Sequence, residues 1–337
     1  FKDNKNIFLK KIHIKKKFIY NFFKITNGRL FSNTTHDTAY IVDNCLIKEA
    51  SFQYRFKKKS KIINGNIKDN HVVKYGTPNF IKKIRGSVFS MLSGGAAKNN
   101  YWHWIFDTLP KIGILEKSKI KADYYLAPSL SKKYQMETLL NLKISSKKLL
   151  DGRKFRHIVC DNLLTTDHPV VFNNDPTKSI LDIPIWIIEW HRNKFLSKNY
   201  STKKLPKKIF MDREKDSSLV NRKIINNEEV KVFLEKYGFE SLSLSNYSFM
   251  DQVKIFNNAN FIIGLHGSGF ANMLFSKPGT KVIEIQSKNT GKLMLNLAKK
   301  CKLKYKRIIE KNESSNLSYQ NSHVRVNITK LKKQILS

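Results

Sequence analysis

Cysteine is scarce in this sequence of 337 residues. Its three cysteines, Cys45, Cys160 and Cys301, lie far apart, and no Cys-x-x-Cys spacing occurs. Such spacing is the usual sign of a zinc site, so no metal site is expected. No disulfide framework is indicated either, and a reducing compartment is the simplest expectation.

Long apolar runs and a secretory signal are also missing. No apolar stretch reaches the roughly 18 residues of a membrane-spanning helix, and the first residues lack the pattern of a signal peptide. The sequence therefore predicts a cytoplasmic location. A hydrophobic content of 41% still supports packed cores and excludes a disordered chain. The length suits two domains of ordinary size.

Acidic residues are few: 26 Asp and Glu stand against 63 Lys and Arg, a formal net charge of +37. Such a charge attracts nucleic acids, anionic lipid headgroups or acidic sugars. Near the start, Lys15-Lys16-Lys17 lies beside Phe18 and Tyr20. A solvated surface is the simpler interpretation of this cluster, and peripheral contact with an anionic membrane, at its inner face, or with polyphosphate is the functional alternative.

One segment of the first half places an imidazole near a carboxylate. His103 and Asp107 are four residues apart, so in a helix they share a face and can touch. A carboxylate beside an imidazole fixes the tautomer and raises the basicity of the ring, which suits a general base. The alternative is a half-buried helix in which the two side chains merely satisfy each other. Around this segment, strands are predicted at 124–127, 156–160 and 162–166 and helices at 133–142 and 185–195, which indicates an α/β layer.

Strands and helices alternate regularly in the second half. Strands are predicted at 208–211, 239–244, 261–264 and 281–285, and helices follow Asn226 and Ser248 and cover 292–300. Asn226 is predicted to cap its helix, with Glu229 at the third helical position. This order predicts a doubly wound parallel sheet, whose ligands bind at the carboxyl ends of the strands. Arg213, His266 and Glu284 lie at or just past such ends.

A glycine-rich turn, His-Gly-Ser-Gly at 266–269, follows the strand at 261–264 and precedes a short helix predicted from Phe270. Free N–H groups and the helix dipole make such a place an anion site. Gly267 and Gly269 let a phosphate approach the backbone without clashing with a Cβ atom. The turn is therefore a candidate grip for a diphosphate.

Three stretches together resemble glycosyltransferase family 61. Residues 100–110, Asn-Tyr-Trp-His-Trp-Ile-Phe-Asp-Thr-Leu-Pro, look like the family's His-Trp…Asp…Pro block. Residues 264–285, with the His-Gly-Ser-Gly turn, Pro-Gly and Val-Ile-Glu-Ile, look like its His-Gly-Ala-Gly-Leu-Thr-Asn block. Residues 210–230 resemble its Arg-containing strand–loop–helix segment. Ser268, Phe270 and Ala271 depart mildly from the pattern, and these changes keep the turn small.

The resemblance implies an α/β, GT-B-like fold: two Rossmann-like domains facing across a cleft. The polar, basic stretch at 198–208, which contains Pro206, marks the boundary between them. The predicted parts are an acceptor-side domain with a basic N-terminal segment at 1–197, a nucleotide-sugar-binding domain at 198–310, and a polar tail with a closing helix at 311–337. The resemblance also implies inverting transfer from a nucleotide-sugar, expected to be UDP-linked, to a glycan or lipid-linked acceptor, without a cofactor or an essential metal. Bacterial surface or capsular polysaccharide synthesis is the nearest analogy.

The resemblance and the residues together assign two groups of site residues. Asp107 or His103 is the base, and the choice between them is open at this point. Glu284 is a candidate acceptor for ribose hydroxyls, and Asn272 holds the turn or touches the donor. The groups assigned to the diphosphate are positively charged side chains and turn residues: Arg213, Arg222, His266, Gly267, Ser268 and Gly269.

Three alternatives remain. The charge and the Lys–aromatic clusters suit a nucleic-acid-binding protein, but no recognisable motif of that class is present, so nucleic acid is not the expected partner. Asp212-Arg213-Glu214 after a strand suits a metal-dependent GT-A transferase. A catalytically inactive sugar-binding homologue is the third, and the intact turn at His266 argues against it.

Overall fold

The structure is a computed structural model that describes residues 4–33, 37–57, 61–64, 66–93, 99–170, 179–196, 205–213, 222–288, 290–313 and 322–337. The chain separates into two compact units, Phe1–Trp190 and His191–Ser337. The predicted domain boundary between residues 197 and 198 lies outside the described residues, so it stays a prediction, as does the assignment of acceptor and donor to separate domains.

The described part of the first unit forms an eleven-stranded mixed sheet. β10, β9, β8 and β11 are parallel neighbours, whereas β1–β2, β2–β11 and the pairs from β11 through β3, β4 and β6 to β7 are antiparallel. The strands are β1 Ile7–Ile14, β2 Phe18–Thr26, β3 Arg29–Ser32, β4 Asp37–Val42, β5 Cys45–Leu46, β6 Phe52–Lys57, β7 Lys61–Asn64, β8 Lys82–Ser90, β9 Tyr124–Ala127, β10 Leu149–Asp151 and β11 His157–Thr166.

The helices of the first unit lie mainly between its parallel strands, because parallel neighbours need crossover connections. They are α1 His71–Tyr75, α2 Tyr101–His103, α3 Pro110–Ser118, α4 Lys133–Asn141 and α5 Ile185–Phe195, which extends past the division at Trp190. A hydrophobic core of the sheet is formed by buried strand residues, including Phe23, Ile25, Leu30, Tyr40, Val88, Leu126, Ile158 and Leu163.

The described part of the second unit is a five-stranded sheet, parallel throughout, in the order β13-β12-β14-β15-β16. β13 lies on one side of β12, and the later strands lie on the other side. The order of the strands therefore switches sides between β12 and β14, and such a switch point is the usual ligand position in doubly wound sheets. The elements are β12 Lys208–Met211, α6 Asn227–Glu235, β13 Glu240–Leu242, α7 Phe249–Asn258, β14 Phe261–Leu265, β15 Lys281–Ser287, α8 Leu293–Lys300, β16 Lys304–Glu310 and α9 Ile328–Leu336.

The α/β class and the parallel sheet of the second unit are confirmed. Among the described strands of the first sheet, parallel pairing is confined to β8–β11, and the GT-B-like arrangement of two Rossmann-like domains stays a prediction. The two strands predicted at 156–160 and 162–166 are one strand, β11, which begins at His157. The short helix predicted from Phe270 is a 3₁₀ segment, Ser268–Phe275.

Asn226 occupies the predicted cap position, but its side chain does not bond the helix N–H groups. It instead donates to Val326 O at 3.0 Å and accepts from Val326 N at 2.9 Å. The cap residue therefore ties α6 to the segment before α9. Within the described ranges, no helix combines the length and apolar character needed to cross a membrane.

Candidate active site

The His103–Asp107 segment is a helix with one widened turn. Asn100 begins it by accepting a hydrogen bond from Trp102 N at 2.9 Å. Trp104–Thr108 then forms a π-helical turn, in which Leu109 N–H bonds Trp104 O at 3.0 Å. Pro110 explains the widening, because it has no N–H to donate and its ring would collide with the carbonyl four residues back. Such turns are frequent at functional sites.

His103 and Asp107 touch as predicted, with Nδ1 of His103 2.7 Å from Oδ2 of Asp107. The Asp107 side chain is 6% exposed and that of His103 is 24% exposed, so only the imidazole is substantially open to solvent. Because Nδ1 faces the carboxylate, it carries the proton in the neutral ring. The acceptor lone pair then lies on Nε2.

A second histidine, His168, approaches the same carboxylate and was missed from the sequence. Its Nε2 lies 3.7 Å from Asp107 Oδ2. Val170 N–H donates to its Nδ1 at 3.1 Å, which places the proton of a neutral ring on Nε2, toward Asp107. The carboxylate therefore lies between two imidazoles.

Strand order explains this meeting. β8 and β11 are adjacent and parallel, with Leu164 opposite Phe89, so their carboxyl ends meet at one edge of the sheet. The α2 segment follows β8, and His168 follows β11. A histidine two residues beyond a predicted strand was the available signal, but the pairing of that strand with β8 could not be obtained from the sequence.

The pKa values of His103 and Asp107 are shifted in opposite directions. Burial alone would raise the pKa of Asp107, but the nearby His103 and His168 outweigh burial and hold this pKa well below its usual range. Burial alone would lower the pKa of His103, and the Asp107 carboxylate reverses this and raises it. Asp107 is thus a poor proton acceptor, whereas His103 is a strengthened one.

The second cluster lies at the switch point of the parallel sheet. Met211 of β12 is paired with Gly264 of β14, so Arg213 and His266 lie two residues past paired positions. Arg213 Nη1 donates to His266 O at 2.7 Å, and Arg222 Nη1 donates to the same oxygen. Burial and the charge of Arg213 lower the pKa of Arg222 to about 10, against a smaller raising effect of Glu284. Two guanidinium groups are therefore held close together beside the turn.

The His266 imidazole is fixed by a buried chain of hydrogen bonds. Its Nδ1 bonds Glu284 Oε1, and Tyr305 OH donates to Glu284 Oε2. The prediction placed Glu284 at a strand end, but β15 continues to Ser287, and the carboxylate is buried inside the sheet. Its two oxygens are thus engaged by the protein. This geometry favours a positioning role toward His266 over contact with a ribose.

Gly267 has a specific steric role. A Cβ atom there would lie 3.1 Å from Arg213 Cζ and closer still to Nη1, so glycine makes room for the guanidinium. At Gly269 a Cβ would lie 3.0 Å from Leu244 Cδ1. We predicted that the missing Cβ atoms of the two glycines would let a phosphate approach. In the structure, protein atoms line the positions that these Cβ atoms would occupy.

The other residues of the turn either bond within the protein or lie at the start of the 3₁₀ segment. Phe270 N–H is used within the protein, bonding Gly267 O at 3.1 Å. Ser268 and Gly269 precede it in the first turn, where N–H groups have no acceptor inside a helix, and both are half-buried. Asn272 is buried, and its Nδ2 donates to Gln252 Oε1 at 2.9 Å, which ties the turn to α7.

Asp212, the first residue of the acidic motif considered for a metal-dependent transferase, supports α6. It accepts from Asn227 Nδ2 at 3.1 Å and pairs with Lys231 at 2.9 Å. Glu214, the other acidic residue of that motif, lies outside the described residues. Among the residues that are described, no group of three or more His, Cys, Asp or Glu side chains is arranged to hold a metal ion.

The predicted site residues thus form two clusters, one within each unit. In a comparison with protein families, the family described as Glycosyltransferase 61 matches residues 101–283, more than half of the chain. No match was found among curated proteins. The matched range includes both clusters apart from Glu284 and Tyr305. The chain therefore belongs to glycosyltransferase family 61 and is a glycosyltransferase.

Proposed function

We propose that the enzyme moves a sugar from a nucleotide-sugar, UDP-linked, to a glycan or lipid-linked acceptor, with inversion and without an essential metal ion. The observation that supports this most directly is the convergence of Arg213 and Arg222 on the turn at His266. Two adjacent guanidinium groups repel each other, and a diphosphate between them would relieve that repulsion while accepting paired hydrogen bonds.

The first cluster, which consists of His103, Asp107 and His168, supplies the base. The acceptor hydroxyl gives its proton to Nε2 of His103 as its oxygen forms a bond to the anomeric carbon. Asp107 holds the ring by Nδ1 and stabilises the imidazolium that forms, and His168 positions Asp107. Because Asp107 is buried and its pKa is depressed, His103 is the better candidate of the two.

The second cluster stabilises the leaving group. As the bond from the anomeric carbon to the diphosphate oxygen breaks, the electron pair stays with the diphosphate. Arg213, Arg222 and the N–H groups of Ser268 and Gly269 are placed to stabilise the charge that develops. His266 contributes through its ring, and Glu284 and Tyr305 hold that ring. These groups supply positive charge where a metal ion would otherwise be needed, which is the basis for proposing metal independence.

The proposal includes a GT-B-like division of labour, with the acceptor bound by the first unit and the donor by the second. We place the reaction in the cytoplasm, in the synthesis of a surface or capsular polysaccharide. These assignments rest on the family and on the chemistry of each cluster.

A thermal-shift screen against a panel of nucleotide-sugars, with and without EDTA, tests the proposal. A donor at about 100 times its Kd stabilises the folded state by about 2.7 kcal/mol, so Tm should rise clearly for one nucleotide class. The shift should be unchanged by EDTA. No shift with any nucleotide-sugar would contradict the donor assignment, and a shift abolished by EDTA would favour the metal-dependent alternative.

Replacing Gly267 with Ala should weaken donor binding while the protein stays folded. The added methyl group meets the mobile end of the Arg213 side chain, which can move aside, so the fold tolerates the change but the guanidinium is displaced. We expect Kd for the nucleotide-sugar to rise about tenfold, as for one lost charge-assisted hydrogen bond.

A double-mutant cycle with Arg213→Ala provides the control for Gly267→Ala. Once Arg213 is shortened, the added methyl group should have little further effect, because both changes act on one contact. Fully additive losses, measured by calorimetry, would show that Gly267 acts on the donor in another way.

A further inference from the structure

We propose that the β1–β2 hairpin of the first unit docks on an anionic lipid bilayer. This goes beyond the transfer reaction and does not depend on it. From residue 4 to residue 36 the sequence has seven lysines and Arg29 and no Asp or Glu. β1 pairs only with β2 among the described strands, so it forms one edge of the sheet, and Leu9, Lys11 and His13 are exposed along it.

The exposed face combines aliphatic and basic side chains. Pairing places Lys11 opposite Asn21 and His13 opposite Ile19, so these side chains share one face with Leu9, whereas Phe23, opposite Leu9, is buried in the core. Leu9 is 41% exposed and Ile19 is 50% exposed, which is high for aliphatic residues in strands. Apolar side chains flanked by lysines are the composition that suits the boundary between headgroups and acyl chains.

The turn of the hairpin carries charge at a conformational cost. Lys15 and Lys16 have φ angles of 51° and 50°, a region where Gly and Asn are favoured and lysine is uncommon. Lys15 pairs with Glu189, whereas Lys16 and Lys17 are exposed beside it. Strained residues that persist often mark functional positions. Here lysines occupy the turn in spite of the strain, so the end of the hairpin carries positive charge.

The occupant that fits this surface is a bilayer, and nucleic acid fits it less well. Single-stranded nucleic acids bind through aromatic side chains on which the bases stack, but Leu9 and Ile19, which lie on the face with Lys11, are aliphatic. The exposed aromatic residue Phe8 lies on the opposite face of β1. Phosphate groups of anionic lipids would pair with Lys11, Lys16 and Lys17 while the two aliphatic side chains enter the interface.

Flotation of the full chain with vesicles tests the inference. Binding is expected to vesicles of phosphatidylcholine with phosphatidylglycerol, and not to phosphatidylcholine alone. The variant Lys11→Gln/Lys16→Gln/Lys17→Gln should lose about 100-fold in partitioning, from the contribution of three lysines near the surface. The control Lys236→Gln/Lys332→Gln/Lys333→Gln removes the same charge from exposed positions of the second unit. Equal losses in both variants would show diffuse attraction and overturn the proposal.

Two further variants separate folding and charge from lipid contact. Lys16→Gly removes a charge and relieves the strained φ angle, so Tm should not fall while vesicle binding weakens. Leu9→Ser/Ile19→Thr keeps every charge and should weaken vesicle binding but leave binding to duplex DNA unchanged. If this variant binds vesicles like the wild type, or if the hairpin lysines matter for DNA and not for vesicles, the docking proposal fails.

Discussion

Replacing His103 with Gln should lower kcat by about 10²–10⁴-fold, the usual worth of a positioned base, with little change in donor affinity. Glutamine can still bond Asp107 but cannot accept a proton near neutral pH. Steady-state kinetics and calorimetry with the donor measure the two effects. His13→Gln, at an exposed position of β1, is the matched control. Turnover within a few-fold of the wild type would remove His103 from the chemistry.

The pH profile decides between His103 and Asp107. A base works only when deprotonated, so activity falls as pH drops through its pKa. The raised pKa of His103 places this fall above the ordinary histidine value of about 6.5. Asp107→Asn removes the carboxylate that raises this pKa, so the fall should move to lower pH. It should also lower kcat, because the ring loses its fixed tautomer.

If Asp107 were the base, the fall would instead lie well below neutrality, since its pKa is held down by the histidines. His168→Gln gives an intermediate test. It leaves the His103–Asp107 bond but removes one of the two rings at the carboxylate. A modest loss in kcat with the fall in activity still governed by His103 is expected from a positioning residue.

Contacts between residues close in sequence were predictable. The His103–Asp107 pair needed only the four-residue spacing of a helix, and strands β12 to β15 of the second unit needed only short apolar runs bounded by turn residues. The same local logic predicted a helix after Ser248, and in the structure the Ser248 hydroxyl caps that helix by accepting from Asp251 N at 3.2 Å. Even the π turn at Trp104–Thr108 left the pair in contact.

Contacts that depend on strand order were not predictable. His168 reaches Asp107 because β11 pairs with β8, and Tyr305 reaches Glu284 because β16, which was not predicted, lies beside β15. The role of Gly267 depends on the position of the Arg213 side chain, which follows another strand, β12. No spacing along the chain contains these pairings, so the sequence indicated the site residues but not what holds them.

Replacing Arg213 with Ala should raise the Kd for the nucleotide-sugar by about 10- to 100-fold, since hydrogen bonds to charged groups contribute about 1.5–3 kcal/mol. Arg213→Lys keeps the charge but loses the planar fork, so its affinity should lie between those of the wild type and Arg213→Ala. Arg325→Ala, which removes an exposed arginine of the same unit, should bind donor normally. If Arg213→Ala stays folded and binds as tightly as the wild type, the diphosphate is held elsewhere.

His266→Ala should behave differently from Arg213→Ala, and the contrast tests the geometry. Arg213 is half-buried and donates to a backbone oxygen, so shortening it should leave Tm nearly unchanged. Removing the His266 ring takes one partner from the buried Glu284 carboxylate, and a buried charge that loses a partner is costly. His266→Ala should therefore lower Tm as well as donor affinity. The double variant His266→Ala/Glu284→Gln also removes that buried charge. Its Tm should recover but its donor affinity should not, because the ring that serves the donor is still absent.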